Sequence, residues 1–159
     1  MEGTLQTFTN KLKAKGFTPF GVQDGVSLLK GEFAGYKDCT VVAVADKSGM
    51  ICKVTVVFPT MDKWGDLERC YSRYKSMLSE KYGDPKDCVE KFQNDYINDD
   101  NSKKHELGMD RCKYYSIFND ANGEIQLEIT HQDFTCFVVL SYFDNANQEK
   151  LRQQMMDDL

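Results

Sequence analysis

The stretch 51–82, ICKVTVVFPTMDKWGDLERCYSRYKSMLSEKY, carries the two clearest secondary-structure signals in the chain. Over residues 51–58 every second side chain is apolar, which predicts a strand with one buried face. Pro59 ends this strand because proline cannot donate to a strand ladder. Over residues 62–82 aromatic and aliphatic side chains recur at steps of three and four. This spacing predicts an amphipathic helix with Asp62 as its N-cap.

Weaker signals of the same two kinds extend on both sides of this stretch. Alternating apolar residues predict five more strands, at 26–33, 39–45, 112–118, 124–130 and 135–143. Helical spacing predicts three more helices, at 4–15, 88–97 and 147–158. Clusters of glycine, proline and polar residues predict loops at 18–26 and 98–104.

The order of these elements is the same in the two halves of the chain. A shift of about 84 residues places helix on helix and strand on strand, although few residues are identical. The sequence therefore predicts a single domain over 1–159 with pseudo-repeat halves at 1–84 and 85–159. The expected class is α+β, with two three-stranded antiparallel β units and helices packed on the sheet.

Composition restricts the classes of function. The 159 residues are 41% hydrophobic and 28% charged, which is typical of one folded domain. The formal net charge of −5 argues against nucleic acid as a partner, because phosphate binding needs a basic face. No apolar run reaches the roughly 20 residues of a transmembrane helix, so we expect no transmembrane segment.

Six cysteines are spread along the chain without a Cys-x-x-Cys spacing, which argues against a zinc ribbon or a thioredoxin-type motif. They are Cys39, Cys52, Cys70, Cys88, Cys112 and Cys136. The predicted hairpin register holds Cys39 and Cys52 too far apart for a disulfide. Mostly free, buried thiols are expected, and any disulfide would involve Cys70 or Cys88.

No motif in the sequence carries a recognisable reaction. There is no glycine-rich phosphate loop, and His105 and His131 are predicted to be lone surface histidines. Cys136 and His131 are close in sequence, but the start of a strand separates them, so a Cys–His catalytic pair is disfavoured. The sequence predicts a protein that is not an enzyme, with no catalytic residue, no cofactor and no metal site.

Aromatic residues give the best candidate for a contact surface. The predicted strands of the second half carry Tyr114, Tyr115, Tyr142 and Phe143. Since side chains alternate along a strand, Tyr114 and Tyr115 must point to opposite faces, and one ring leaves the core. An outward aromatic ring marks a possible interaction surface, unless a helix or another layer covers it.

Five segments carry structural motifs of glycine, aromatic and charged residues, at 15–17, 29–36, 81–85, 111–115 and 140–144. Through these segments nearly the whole chain resembles a group of uncharacterised exported proteins from gut Bacteroidetes. Because the motifs are structural, the resemblance implies no catalytic residue. It implies a periplasmic or secreted protein whose signal peptide has been removed, since the polar stretch from Met1 is not a leader. A chain complete as it stands would be cytoplasmic.

Three functions remain open on this basis. The favoured hypothesis is a non-enzymatic exported or periplasmic domain that binds a protein or a cell-envelope component. The alternatives are a small-molecule or lipid-binding domain with a pocket between helices and sheet, and a hydrolase of unknown type. A flat aromatic patch would favour the first hypothesis, an enclosed pocket the second, and a cleft of groups with shifted pKa values the third.

Overall fold

The computed structural model describes residues 4–94, 96–97, 99–120 and 123–144. The helices found in these ranges are α1 (Leu5–Ala14), α2 (Trp64–Tyr82) and α3 (Asp100–Gly108). The strands are β1 (Thr18–Gln23), β2 (Val26–Phe33), β3 (Tyr36–Ala45), β4 (Ile51–Val57), β5 (Asp87–Phe92), β6 (Cys112–Asp120), β7 (Gly123–Gln132) and β8 (Thr135–Asp144). The predicted helix at 147–158 lies outside the described residues.

The strands form one eight-stranded antiparallel sheet in the order β1-β2-β3-β4-β8-β7-β6-β5, which confirms the α+β class. Contacts divide the chain into two compact units. The described residues of unit 1 are 4–58, 120, 123–125 and 141–144. Those of unit 2 are 59–94, 96–97, 99–119 and 126–140. The sequence predicted three-stranded units instead, because it missed the two edge strands, β1 and β5.

The loop predicted at 18–26 is wrong for most of its length, because Thr18–Gln23 is strand β1. Pro19 and two glycines favoured a loop, but β1 pairs only with β2 and lies at the edge of the sheet. An edge strand tolerates a proline and a local irregularity. The register indeed shifts between Pro19 and Gly21, as at a β-bulge.

The helix predicted at 88–97 and the loop predicted at 98–104 are also wrong. Residues 87–92 pair with β6 as strand β5, and residues 100–108 form α3. Val89 and Phe92 are three residues apart, a spacing that is also typical of a helix. Pairing with β6 decides the structure of this short segment instead. Asp99 caps α3 by accepting a hydrogen bond from Ser102 N at 2.8 Å. The predicted loop's first residue, Asn98, lies outside the described residues.

The strongest sequence signals are confirmed. Strand β4 covers 51–57, and α2 runs to Tyr82 before Gly83, whose φ of 83° only glycine adopts without strain. Thr4 caps α1 by accepting a hydrogen bond from Thr7 N at 3.2 Å. The predicted cap of α2 is wrong, because the helix begins at Trp64 and its N-cap is Lys63 rather than Asp62.

The core of unit 1 lies between α1 and one face of β1, β2 and β3. A buried hydrogen bond joins Thr9 Oγ1 of α1 to Ser27 Oγ of β2 at 3.2 Å. Phe17, just after α1, packs on Gly31, where an added Cβ would lie 2.6 Å from the Phe17 ring. This contact requires glycine at position 31, which lies in one of the segments that carry the resemblance.

The core of unit 2 lies between α2 and the strands β5 and β6. The Trp64 ring centroid lies 5.1 Å from that of Phe92 and 5.2 Å from that of Tyr114. Two turns further along α2, Tyr71 Oη hydrogen-bonds to Ser116 Oγ at 2.5 Å. The aromatic stripe predicted for this helix is therefore buried against the sheet.

None of the six cysteines forms a disulfide bond, and Cys39, Cys52, Cys70 and Cys136 are buried. In the β3–β4 hairpin, Thr40 lies opposite Val57 and Val44 opposite Lys53, which is the predicted register. A local shift at Ala45 changes the pairing only beside the turn. Cys88 is exposed and Cys112 is half-buried, so the prediction of buried thiols is wrong for Cys88.

Candidate functional site

Tyr114 and Tyr115 lie on opposite faces of β6. The Tyr114 ring packs against α2, with its centroid 4.9 Å from that of Tyr71. Tyr115 follows directly in the strand and points to the face that α2 does not cover. Its hydroxyl donates a long hydrogen bond of 3.4 Å to Asp87 Oδ2 on β5.

A groove of about 330 Å³ lies on this second face of unit 2. Residues of two adjacent strands and Leu107 of α3 line it. The side chains that alternate with the core positions are Lys113, Tyr115 and Ile117 from β6, and Gln126, Glu128 and Thr130 from β7. The residues between them on β7, Ile125, Leu127 and Ile129, are buried. Strand alternation therefore separates a core face from a mixed polar and aromatic face.

The groove offers both hydrogen-bond donors and hydrogen-bond acceptors. Lys113 brings an ammonium, Gln126 an amide and Glu128 a carboxyl group. Glu128 is exposed at the surface of the groove, yet partial loss of hydration raises the pKa of its carboxyl. A polar ligand that lies along Tyr115 could hydrogen-bond to side chains on both strands.

A histidine and an aspartate lie at one end of the groove. His131 Nε2 lies 2.7 Å from Asp110 Oδ1, and His131 Nδ1 lies 2.6 Å from the Asp133 carbonyl oxygen. Both ring nitrogens thus face an acceptor, which only the charged imidazolium can satisfy on both sides. The hydrogen bond that His131 donates to the Asp110 carboxylate raises the pKa of His131 above its ordinary value of 6.5, and the hydrogen bond to the Asp133 carbonyl contributes further.

This pair predicts a pH dependence of stability. A histidine whose pKa is raised by folding stabilises the folded state below its unfolded-state pKa of about 6.5, and this gain is lost as pH rises through the folded-state pKa. We expect the unfolding free-energy difference between wild type and Asp110→Asn to be larger at about pH 6 than at about pH 9. Asp110 is 85% exposed, so the effect is small. An equal difference at both pH values, measured by urea denaturation, would contradict the assignment.

Tyr142 and Phe143 lie in unit 1, on β8, and both are half-buried. Lys53 Nζ of β4 lies 5.0 Å from the centroid of the Phe143 ring, within the range of a cation–π contact. Thr55 and Ser141 hydrogen-bond between β4 and β8 at 3.3 Å. Among the four aromatic residues predicted from the sequence, Tyr115 is the one that lines the groove from the face of β6 opposite α2.

Cys52, Cys112 and Cys136 lie in environments that disfavour the thiolate. Burial raises the pKa of Cys112 to about 12 and also raises the pKa of Cys52 and Cys136. Cys136 Sγ points to the Phe134 carbonyl oxygen at 3.8 Å, while His131 bonds to other acceptors. Within the described ranges, no group of three or more His, Cys, Asp or Glu side chains could hold a metal ion.

Sequence reasoning missed most of the groove. The alternation over 124–130 was visible, but Glu128 was interpreted as one residue of a solvated sheet face. Twenty-one residues separate Asp110 from His131, so no local pattern joins them. The signal in the sequence was Tyr115 itself. It follows Tyr114 in the same strand, and only one of two consecutive side chains can face the core.

Comparison of the chain with protein-family models, curated proteins and solved structures gives no match. None of the described helices has the length and apolarity that crossing a membrane requires.

Proposed function

We propose that this protein is a non-enzymatic binding domain and that the groove over Tyr115 receives a protein or a cell-envelope component. One observation carries the proposal: an aromatic ring and hydrogen-bonding side chains from two neighbouring strands line a groove on the sheet face that α2 does not cover. Tyrosine suits such a surface because its ring gives contact area and its hydroxyl tolerates water. Few rotatable bonds also keep the entropy cost of binding low.

The charges of the groove favour a polar partner of mixed charge. Lys113 and Glu128 bring opposite charges to the same groove. The His131–Asp110 pair adds one more group of each sign at its end. A partner with both donors and acceptors fits this arrangement better than a polyanion does, since a polyanion would meet Glu128 and Asp110.

The proposed site of action is the periplasm or the cell exterior. The resemblance to exported proteins from gut Bacteroidetes supports this location. The favoured partner is then another exported protein or a component of the envelope, which a small domain without a reaction motif could hold by surface contact.

A cross-linking experiment tests the proposal. A photoreactive amino acid in place of Lys113 should give adducts with components of an envelope extract, and excess unmodified wild-type protein should suppress them. The matched control carries the same group in place of Asp62, an exposed residue before α2. Adducts specific to position 113 would support the groove as the binding site. Equal adducts from both positions, or no adduct from position 113, would overturn the proposal.

A further inference from the structure

The two edges of the sheet differ in how they are protected. An edge strand presents unpaired backbone groups that can bind another strand, and proteins commonly block such edges with proline or a bulge. Strand β1 has both devices, with Pro19 and the register shift that follows it. Strand β5 has neither, because its six residues pair with β6 in one continuous register and contain no proline.

The backbone of β5 has one set of groups directed outward. Asp87 lies opposite Ile117, and Gln93 N, just after the strand, donates to Arg111 O at 2.9 Å. In an antiparallel ladder, hydrogen-bonded and non-hydrogen-bonded pairs alternate. The odd-numbered residues therefore bond to β6, and the N–H and C=O groups of Cys88 and Glu90 point to the open edge, at which no other described strand pairs.

We propose that the edge of β5 pairs with β5 of a second copy of this chain, antiparallel and centred on Val89. In this register each Asp87 lies opposite Lys91 of the second copy, and the two Val89 side chains meet at the centre. The outward backbone groups of Cys88 bond to those of Glu90 of the second copy, which gives two reciprocal pairs of hydrogen bonds. The strand is thus complementary to itself in charge, in apolar contact and in hydrogen bonding.

The charges on the sheet face of unit 2 that α2 does not cover support this partner. Lys91 lies directly opposite Lys113 in the β5–β6 pair, and like charges in that position are unfavourable. The self-pairing places Asp87 of the second copy on the other side of Lys91. Asp87 of each copy therefore offsets the repulsion between Lys91 and Lys113 of the other copy.

Neighbouring registers fit less well. A shift in one direction places Glu90 opposite Glu90 of the second copy, two like charges on the face covered by α2. A shift in the other direction needs the N–H of Lys86 at the open edge, but Lys86 N already donates to Ile117 O at 2.8 Å. In the centred register Glu90, which pairs with Lys75, lies opposite Cys88 of the second copy, and no like charges meet.

The experiment measures the dissociation constant by sedimentation over a range of concentrations. We expect wild type to form a dimer, and Asp87→Lys to weaken it roughly tenfold to a hundredfold, because two attractive cross-strand pairs become repulsive. The double variant Asp87→Lys/Lys91→Asp restores both attractive pairs and should restore the dimer. Asp62→Lys makes the same change of charge away from the edge and should leave the dissociation constant unchanged.

A wild-type protein that stays monomeric at every concentration would overturn this inference. So would a dimer that Asp87→Lys and Asp62→Lys affect equally. Thermal melts of each variant show that it is folded, and recovery in the double variant separates loss of pairing from loss of fold. Amide hydrogen exchange gives an independent readout, since Cys88 and Glu90 should be protected only in the dimer.

Discussion

Replacing Trp64 by alanine is expected to lower the free energy of unfolding by about 3–5 kcal/mol. The side chain is 1% exposed and its ring meets Phe92 and Tyr114 edge to face. Its Nε1 also donates a hydrogen bond to Glu68 Oε2 at 3.0 Å. Alanine would remove these contacts and leave a cavity between α2 and the sheet of unit 2.

Denaturant unfolding measures this loss of stability, and two further variants serve as comparisons. Trp64→Phe keeps a ring in the site and should cost less than the alanine variant. Tyr96→Ala removes an aromatic side chain that is 93% exposed and should change stability by no more than about 0.5 kcal/mol. A Trp64→Ala melting temperature within a degree or two of wild type would show that the ring is not a core contact.

Replacing Gly123 by alanine is expected to cost about 3 kcal/mol or more, since a rigid clash in a packed site cannot be relieved by side-chain rotation. A Cβ added at Gly123 would lie 1.8 Å from the carbonyl oxygen of Phe143. Because the obstacle is backbone, β7 or β8 would have to shift. The measurement is again the free energy of unfolding.

Gly49→Ala is the matched control for this variant. Gly49 has a φ of 86° and nothing within 4 Å of an added Cβ, so its replacement costs only backbone strain of about 1 kcal/mol. Gly123→Ala should therefore be clearly the more destabilising of the two. Equal losses would contradict the close approach of the two strands at Gly123.

The sequence predicted those elements whose signals are local and strong. Strand β4 and helix α2 carry complete periodic patterns because each buries one full face. Thr4 at the start of α1 and Gly83 after α2 are residue types that favour helix ends. The hairpin register followed from the alternation of apolar residues in β3 and β4.

The elements that were missed depend on tertiary context. Strand β5 buries few side chains, since it lies at an edge, and its composition alone does not distinguish strand from helix. Helix α3 has one buried residue, Leu107, and therefore shows no apolar stripe. Strand β1 contains a proline that an edge position tolerates.

The candidate site was predicted only in part, for a related reason. The alternation of Tyr114 and Tyr115 required one outward ring, and the structure shows that Tyr115 is the outward one. The rest of the groove comes from β7, from Leu107 of α3, and from Asp110 and His131 beside the strands. The sequence predicts β6 and β7 as consecutive antiparallel strands, but no local pattern brings Asp110 and His131 together.

The most direct test of the binding site is the affinity of Tyr115→Ala for the partner captured through position 113. The account predicts a dissociation constant roughly tenfold or more above that of wild type, because a central aromatic contact is lost. It also predicts that Tyr96→Ala binds as wild type does, and that both variants remain folded by thermal melting. A folded Tyr115→Ala variant with wild-type affinity would contradict the claim that the groove over Tyr115 is the binding site.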